Sequence, residues 1–197
     1  MIMNRTIKLA IIVLLPFAAS LAIIVSGQAR DTTSDTQKKI DSAMSAAPMA
    51  VSHDATILDY DKDANGKYIV LQKGTNDWTC WSDWADSPGN DPLCYDPSFV
   101  KWNDALIAGT APDITEVGLA YVLQGGSDPS NTDPMAAEPA KGEDWVSAPP
   151  HIMILLPKGT DLSQYSTDHT SGKPYIMWAG TPYQHIMMPI AAMEHDQ

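Results

Sequence analysis

Two histidine–methionine pairs near the C-terminal end of the chain carry the residue types best suited to chemistry. His151 and Met153 lie in one apolar run, and His185 and Met187 lie in a second run with the same His-Ile-Met order. If each run is a strand, residues two apart point to the same face at a spacing of about 7 Å. Imidazole and thioether groups on neighbouring strands form a soft ligand set that suits copper(I). The four residues are therefore candidate ligand-binding and metal-binding residues.

The same pattern has two other interpretations. Methionine is an adaptable core filler, and buried imidazoles often hydrogen-bond to carbonyls or carboxylates. Alternatively, His151 or His185 is the general base of an enzyme of unfamiliar type, because the histidine pKa suits proton transfer near neutral pH. The opposite faces of the two runs are apolar, so we expect Ile152, Ile154 and Ile186 to face the core and the histidines to face a polar pocket.

Tryptophans form a second group of candidate ligand-binding residues. Trp81 and Trp84 follow Trp78 at a spacing of three, next to Cys80. Aromatic rings near a surface loop can stack on sugars or other planar ligands. The alternative is that these indoles pack the loop onto the body of the protein.

Residues 61–72 resemble a calcium-binding loop, with Asp61, Asp63 and Asn65 at alternate positions before Gly66. Gln72 stands where that motif needs a bidentate glutamate, and the flanking segments have the character of strands rather than helices. The pattern therefore predicts an ordinary hairpin turn, and calcium is not the expected ligand.

The first 29 residues have the layout of a secretory signal peptide. Arg5 and Lys8 precede an uncharged, largely apolar run over residues 9–25, and small residues follow up to Ala29. Cleavage after Ala29 would leave residues 30–197 as a single exported domain, periplasmic or secreted, without stable membrane association. An uncleaved membrane anchor is the alternative, since seventeen residues are near the lower limit for a spanning helix.

Cys80 and Cys94 are the only cysteines in the chain. In an exported protein an isolated pair predicts a disulfide. The segment between them is rich in turn-forming residues and needs such a restraint.

The remaining patterns predict an α+β fold: one domain with a β-rich core, two helices, long loops and one disulfide. Residues 124–150 form a long polar segment with five prolines, which in a compact domain is typical of a functional loop or one ordered by packing. The predicted elements are helices over 34–47 and 97–108, a hairpin of 55–60 with 67–72, and strands over 117–123, 151–156, 174–178 and 184–188.

Four segments of the chain resemble a family of exported bacterial proteins with no assigned activity. They read GTNDWTC (74–80), GGSDPSNTDP (125–134), PHIMI (150–154) and MWAGTPY (177–183). The resemblance covers about residues 38–190 and implies one intact domain, but it transfers no catalytic residue.

The charge of the chain limits its partners. The net charge is −12, and it falls to −14 when the two basic residues of the predicted signal peptide are removed. Such a surface repels nucleic acid and anionic lipid.

We expect a non-enzymatic module that binds a small molecule or a protein outside the cytoplasm. Its site is predicted where the 124–150 segment meets the strands of His151 and His185.

Overall fold

The computed structural model describes the backbone of residues 25–190 and the side chains of residues 33–190. Most of the predicted signal peptide, residues 1–24, lies outside these limits. The proposed cleavage point after Ala29 falls within the first helix and stays a prediction. Within the described residues, no helix combines the length and the apolar character needed to cross a membrane.

The described residues form an α+β domain, as the sequence predicts. They contain three helices, of which the four-residue one was not predicted, and ten strands. These are α1 (Val25–Ser45), α2 (Met49–Ser52), β1 (Thr56–Lys62), β2 (Tyr68–Gln72), β3 (Thr79–Trp81), β4 (Leu93–Tyr95), α3 (Pro97–Ile107), β5 (Gly118–Val122), β6 (Gly126–Asp128), β7 (Val146–Ala148), β8 (His151–Leu155), β9 (Tyr175–Met177) and β10 (His185–Pro189).

Eight of the strands form one mixed sheet, in the order β2-β1-β3-β4-β5-β8-β10-β9. Strands β1 and β3 run parallel, and every other neighbouring pair in the sheet is antiparallel. The other two strands, β6 and β7, pair with each other as a separate antiparallel ribbon. This ribbon lies within the polar segment 124–150, so the predicted long loop contains ordered structure of its own.

Each face of the sheet has its own core. On one face, Cys80, Cys94 and Ile57 pack against alanines near the end of α1. On the other face, the next residues along β3 and β4, Trp81 and Tyr95, join a larger aromatic core. We call these the α1 core and the α3 core; α3 contributes two buried aromatic rings to the latter.

Helix α3 starts and ends as its sequence predicts. Asp96 is the N-cap, its carboxylate accepting a hydrogen bond from the N–H of Phe99 at 2.8 Å, and Pro97 occupies the first turn. The same carboxylate accepts the N–H of Leu119 on β5 at 2.7 Å. One side chain therefore stabilises the helix and fastens it to the sheet.

The expectation about which face of β8 meets the core is wrong. His151, Met153 and Leu155 are buried on the α3 side, whereas Ile152 and Ile154 are only half-buried on the other side. Alternation divides a strand into two faces, but it does not say which face is covered more deeply. Here the aromatic rings of the α3 core cover the His/Met face.

The predicted disulfide is present. Cys80 and Cys94 lie directly opposite each other in the β3–β4 pair, both fully buried in the α1 core. The bond closes the loop between these two strands at the point where they enter the sheet.

Opening the disulfide should destabilise the domain by about 3 kcal/mol, because loop-closure entropy for about fifteen residues is then restored to the unfolded chain. Urea unfolding of the oxidised protein with and without reductant measures this difference. The double variant Cys80→Ala/Cys94→Ala is the control, since reductant should not change its unfolding midpoint. Equal stability of the oxidised and reduced wild type would contradict the prediction.

Candidate functional site

A cavity of about 140 Å³ lies within the α3 core. Its walls come from the sheet, from α3, from the β6–β7 ribbon and from the loop that the disulfide closes. The four predicted His/Met residues all line it, and so do five residues of the ribbon. The sequence analysis predicted a site at this junction of the 124–150 segment with β8 and β10.

The strand register places the four His/Met residues at different depths of the cavity. Met153 on β8 lies directly opposite Met187 on β10. His151 lies opposite Pro189, which is four residues from His185 along β10, or roughly 13 Å at the rise of a strand. The two imidazoles therefore stand on either side of the methionine pair and do not meet at one point.

Both imidazoles are held neutral by their surroundings. His151 and His185 are 3% and 2% exposed, and burial lowers the pKa of each to about 4. In each ring Nδ1 faces a main-chain carbonyl, that of Pro149 at 2.7 Å and that of Tyr183 at 3.0 Å. Because a carbonyl only accepts, Nδ1 carries the proton and Nε2 is left as an acceptor. The Nε2 atom of His185 is buried without a hydrogen-bond partner.

Two carboxyl groups approach the cavity from segments outside the main sheet. Asp91 lies in the disulfide-closed loop and is 8% exposed, while Asp128 lies at the end of β6. Burial is the main cause that raises the pKa of Asp91, and it raises that of Asp128 to about 6. The negative charge of Asp91 raises the pKa of Asp128 further, so the two groups influence each other.

Aromatic side chains form much of the cavity wall. Trp102 of α3 stacks on Trp178, with ring centroids 5.7 Å apart and planes 10° apart. The ring of His185 contacts both indoles edge-on, at 5.3 and 5.2 Å. Tyr95 and Tyr175 also line the cavity. The indole N–H of Trp102 is buried without an acceptor.

Trp178 is held in a strained conformation. Among the described residues it is the one non-glycine residue with a positive φ, at 55°. Its main-chain N–H and its indole N–H donate to the carbonyls of Asn131 and Ser130, at 2.9 and 2.8 Å, and its own carbonyl accepts from Thr181. Such a conformation costs on the order of 1–3 kcal/mol and persists only when its neighbours fix it. Here the result is a fixed indole in the cavity wall.

Trp81 and Trp84, the predicted aromatic ligand residues, lie outside the set that lines the cavity. Trp81 is buried in the α3 core between Tyr68 and Tyr95. Trp84 is half-buried and packs edge-to-face on Trp145, with centroids 6.2 Å apart. Both contacts are packing of the disulfide-closed loop and its surroundings.

Most of the residues that line the cavity were not predicted as ligand residues from the sequence, among them Asp91, Trp102, Asp128, Met177 and Trp178. Only Met177 has a signal that pattern analysis can use, because it extends the His/Met alternation to a third strand and pairs with His185. The two aspartates lie in turn-rich segments, where such residues are expected without any role in binding.

Comparison with known proteins adds no relative to this description. No protein-family model, no curated protein and no solved structure matches the chain. The function of the protein is therefore inferred from the cavity itself.

Neutral burial of His185 should appear in the pH dependence of stability. The imidazole has a pKa of about 4 in the folded protein and about 6.5 when unfolded, so the unfolded state binds more protons between these values. The stabilisation is complete above pH 6.5 and is lost as the pH falls towards 4. Asp128 acts in the opposite direction, because its folded pKa is raised.

Comparison with the variant His185→Gln isolates the contribution of the histidine, since Asp128 titrates in both proteins. The difference in unfolding free energy between wild type and variant should shrink by up to about 3 kcal/mol between pH 6.5 and pH 4. Urea unfolding at several pH values measures it. A difference that does not change with pH would show that the imidazole is not held neutral.

Proposed function

We propose that this protein is a non-enzymatic, exported module that binds a small ligand in the cavity of the α3 core. Export rests on the predicted signal peptide and agrees with a disulfide between its only two cysteines. The proposed partner is a small molecule of the extracytoplasmic compartment.

One observation carries this proposal: three side chains that line the cavity have buried polar atoms without hydrogen-bond partners. They are both carboxylate oxygens of Asp91, the indole nitrogen of Trp102 and Nε2 of His185. Leaving such a group unpaired costs about 1–3 kcal/mol, and more for a charge. Three such groups around one cavity are what a binding site offers before its ligand supplies the missing partners.

The size of the cavity limits the ligand. An engineered apolar cavity of about 150 Å³ binds benzene, so a cavity of about 140 Å³ suits a compact molecule of similar size. The walls combine aromatic rings and thioethers with a few polar atoms, which is the usual composition of a small-molecule site.

The buried histidines favour binding over catalysis. A general base works best when its pKa lies near the operating pH, whereas the pKa values of His151 and His185 are about 4. Both Nδ1 atoms are already engaged with carbonyls. The imidazoles are therefore better suited to accept a hydrogen bond through Nε2 than to remove a proton.

Filling the cavity should abolish binding while the domain stays folded. Ala148 on β7 lines the cavity, and Ala148→Leu adds three carbon atoms to its wall. The matched control is Ser147→Leu, because Ser147 is the exposed neighbour on the opposite face of the ribbon. Ligand-detected NMR with benzyl alcohol should show saturation transfer with wild type and control, and none with Ala148→Leu. Equal transfer with all three proteins would contradict the proposal.

A copper(I) site is the second candidate function, and the unpartnered Nε2 of His185 favours it. Met177 lies directly opposite His185 on β9, and Met187 is two residues further along β10 on the same face. Among the described residues, no three His, Cys, Asp or Glu side chains group to hold a metal ion, so such a site depends on thioethers. One imidazole with two thioethers replaces the four-ligand set predicted from the sequence.

The copper candidate predicts that Met177→Leu/Met187→Leu lowers copper(I) affinity at least about tenfold while conserving side-chain volume. The control is Met135→Leu, which changes an exposed methionine outside the cavity. Anaerobic titration against a competing chelator measures the affinities. Protons should compete with copper only near pH 4, where His185 titrates. No binding by the wild type, or equal affinity of wild type and double variant, would exclude this site.

A further inference from the structure

We infer that the ligand of the cavity is a small organic cation, a primary amine with a compact apolar body, whose ammonium group binds at Asp91 and Asp128. This inference rests on the proposed function, because it names the ligand class of the same cavity.

Asp91 is the buried carboxylate of the cavity whose two oxygens both lack a hydrogen-bond partner. It is 8% exposed and lines the cavity. Ser87 and the N–H of Ser127 lie close enough to lower its pKa against the effect of burial, but neither forms a hydrogen bond of good geometry. An ionised carboxylate in this position lacks donors, and an ammonium group carries three.

No counter-charge compensates the carboxylates. Neither a lysine nor an arginine is among the residues that line the cavity in the described part of the chain. The imidazoles are neutral, since burial holds the pKa values of His151 and His185 near 4. Asp83 adds a further negative charge behind Asp91, whose N–H it accepts at 2.8 Å. The potential in the cavity therefore favours a cation and repels an anion.

The loop around Asp91 holds the carboxylate in place. Asp83 and Asp91 both lie between the disulfide-linked cysteines, and their hydrogen bond braces the loop from within. A side chain at Gly89 would collide with Oδ1 of Asp91, so the loop backbone packs closely against that side of the carboxylate. The acceptor is thus positioned before a ligand arrives, which reduces the ordering cost of binding.

The rest of the wall suits the apolar body of such an amine. The indoles of Trp102 and Trp178 and the ring of Tyr175 line the cavity together with three methionines. Aromatic faces attract a cation, and they also accommodate a flat apolar group. A benzene-sized ring with one aminomethyl group matches both the volume and the distribution of charge.

Three probes of nearly the same shape test the charge preference: benzylamine, benzyl alcohol and benzoate, each titrated into the full exported domain by calorimetry at pH 7.5. Benzylamine should bind at least about tenfold more tightly than benzyl alcohol, because a hydrogen bond between charged groups is worth roughly tenfold or more in affinity. Benzoate should bind more weakly than either.

Two variants assign the preference to the carboxylates. Asp91→Asn and Asp128→Asn should each lower the ratio of benzylamine affinity to benzyl alcohol affinity at least about tenfold, because only the amine carries a charge that pairs with a carboxylate. The matched control is Asp86→Asn, an exposed residue of the same loop that does not line the cavity. The urea unfolding midpoint distinguishes a binding role of Asp91 from a structural one. Because Asp91 has no partner to lose, Asp91→Asn should keep or raise the urea midpoint, whereas a structural carboxylate would lower it.

The outcomes separate this inference from the proposed function. If benzyl alcohol or benzoate binds as tightly as benzylamine, the cavity binds ligands and the cation inference is wrong. If none of the three probes binds to the wild type, the cation inference is wrong. The proposed function is also wrong if the wild type shows no saturation transfer from benzyl alcohol in the comparison with Ala148→Leu. If Asp91→Asn does not fold, the wild-type probe series and Asp128→Asn still decide the inference.

Discussion

The residues on the face of the sheet that α3 covers are largely buried, and this burial sets the protonation state of the titratable groups there. Desolvation opposes charge of either sign, so it lowers the pKa of His151 and His185 and raises that of Asp128. The same burial turns ordinary polar atoms into groups that require partners. The α1 core, built from alanines, Ile57 and the disulfide, places no such demand on its surroundings.

Two kinds of segment place polar groups on this buried face of the sheet. Regular strands bring the histidines and methionines there, since alternation along β8 and β10 fixes which side chains share a face. Segments outside the main sheet bring the carboxylates: the disulfide-closed loop carries Asp91, and the β6–β7 ribbon carries Asp128. Gly125, with a φ of 85°, lets the chain turn from β5 into β6 close to β7, because a Cβ there would press on the carbonyl of Ala148.

These two kinds of segment explain how much of the molecule can be predicted from its sequence. Periodicity and capping residues predict the β1–β2 hairpin, helix α3 and the strands of the His/Met pairs, because the signals are local. Which face of β8 is covered depends on aromatic residues far away in the chain. The prediction for Ile152 and Ile154 was therefore wrong, whereas Ile186 on β10 is buried as expected. Asp91 could not be identified as a cavity residue, since an aspartate in a turn-rich loop looks the same whether it is solvated or buried.

Most departures from ordinary packing among the described residues lie together. The exception is the buried, unpartnered Oδ1 of Asn131, which lies outside the cavity lining although the main-chain carbonyl of the same residue accepts from Trp178. The strained backbone of Trp178, the unpaired indole N–H of Trp102, the free Nε2 of His185 and the bare carboxylate of Asp91 all border one cavity. Independent defects would be scattered over the fold, and a core under selection for stability alone would replace each with an apolar or paired group. Strained backbone and unpaired polar atoms that occur together are typical of a binding site, where a ligand supplies the missing contacts. The ligand that completes this one must supply donors to Asp91, an acceptor to Trp102 and apolar surface to the rings between them.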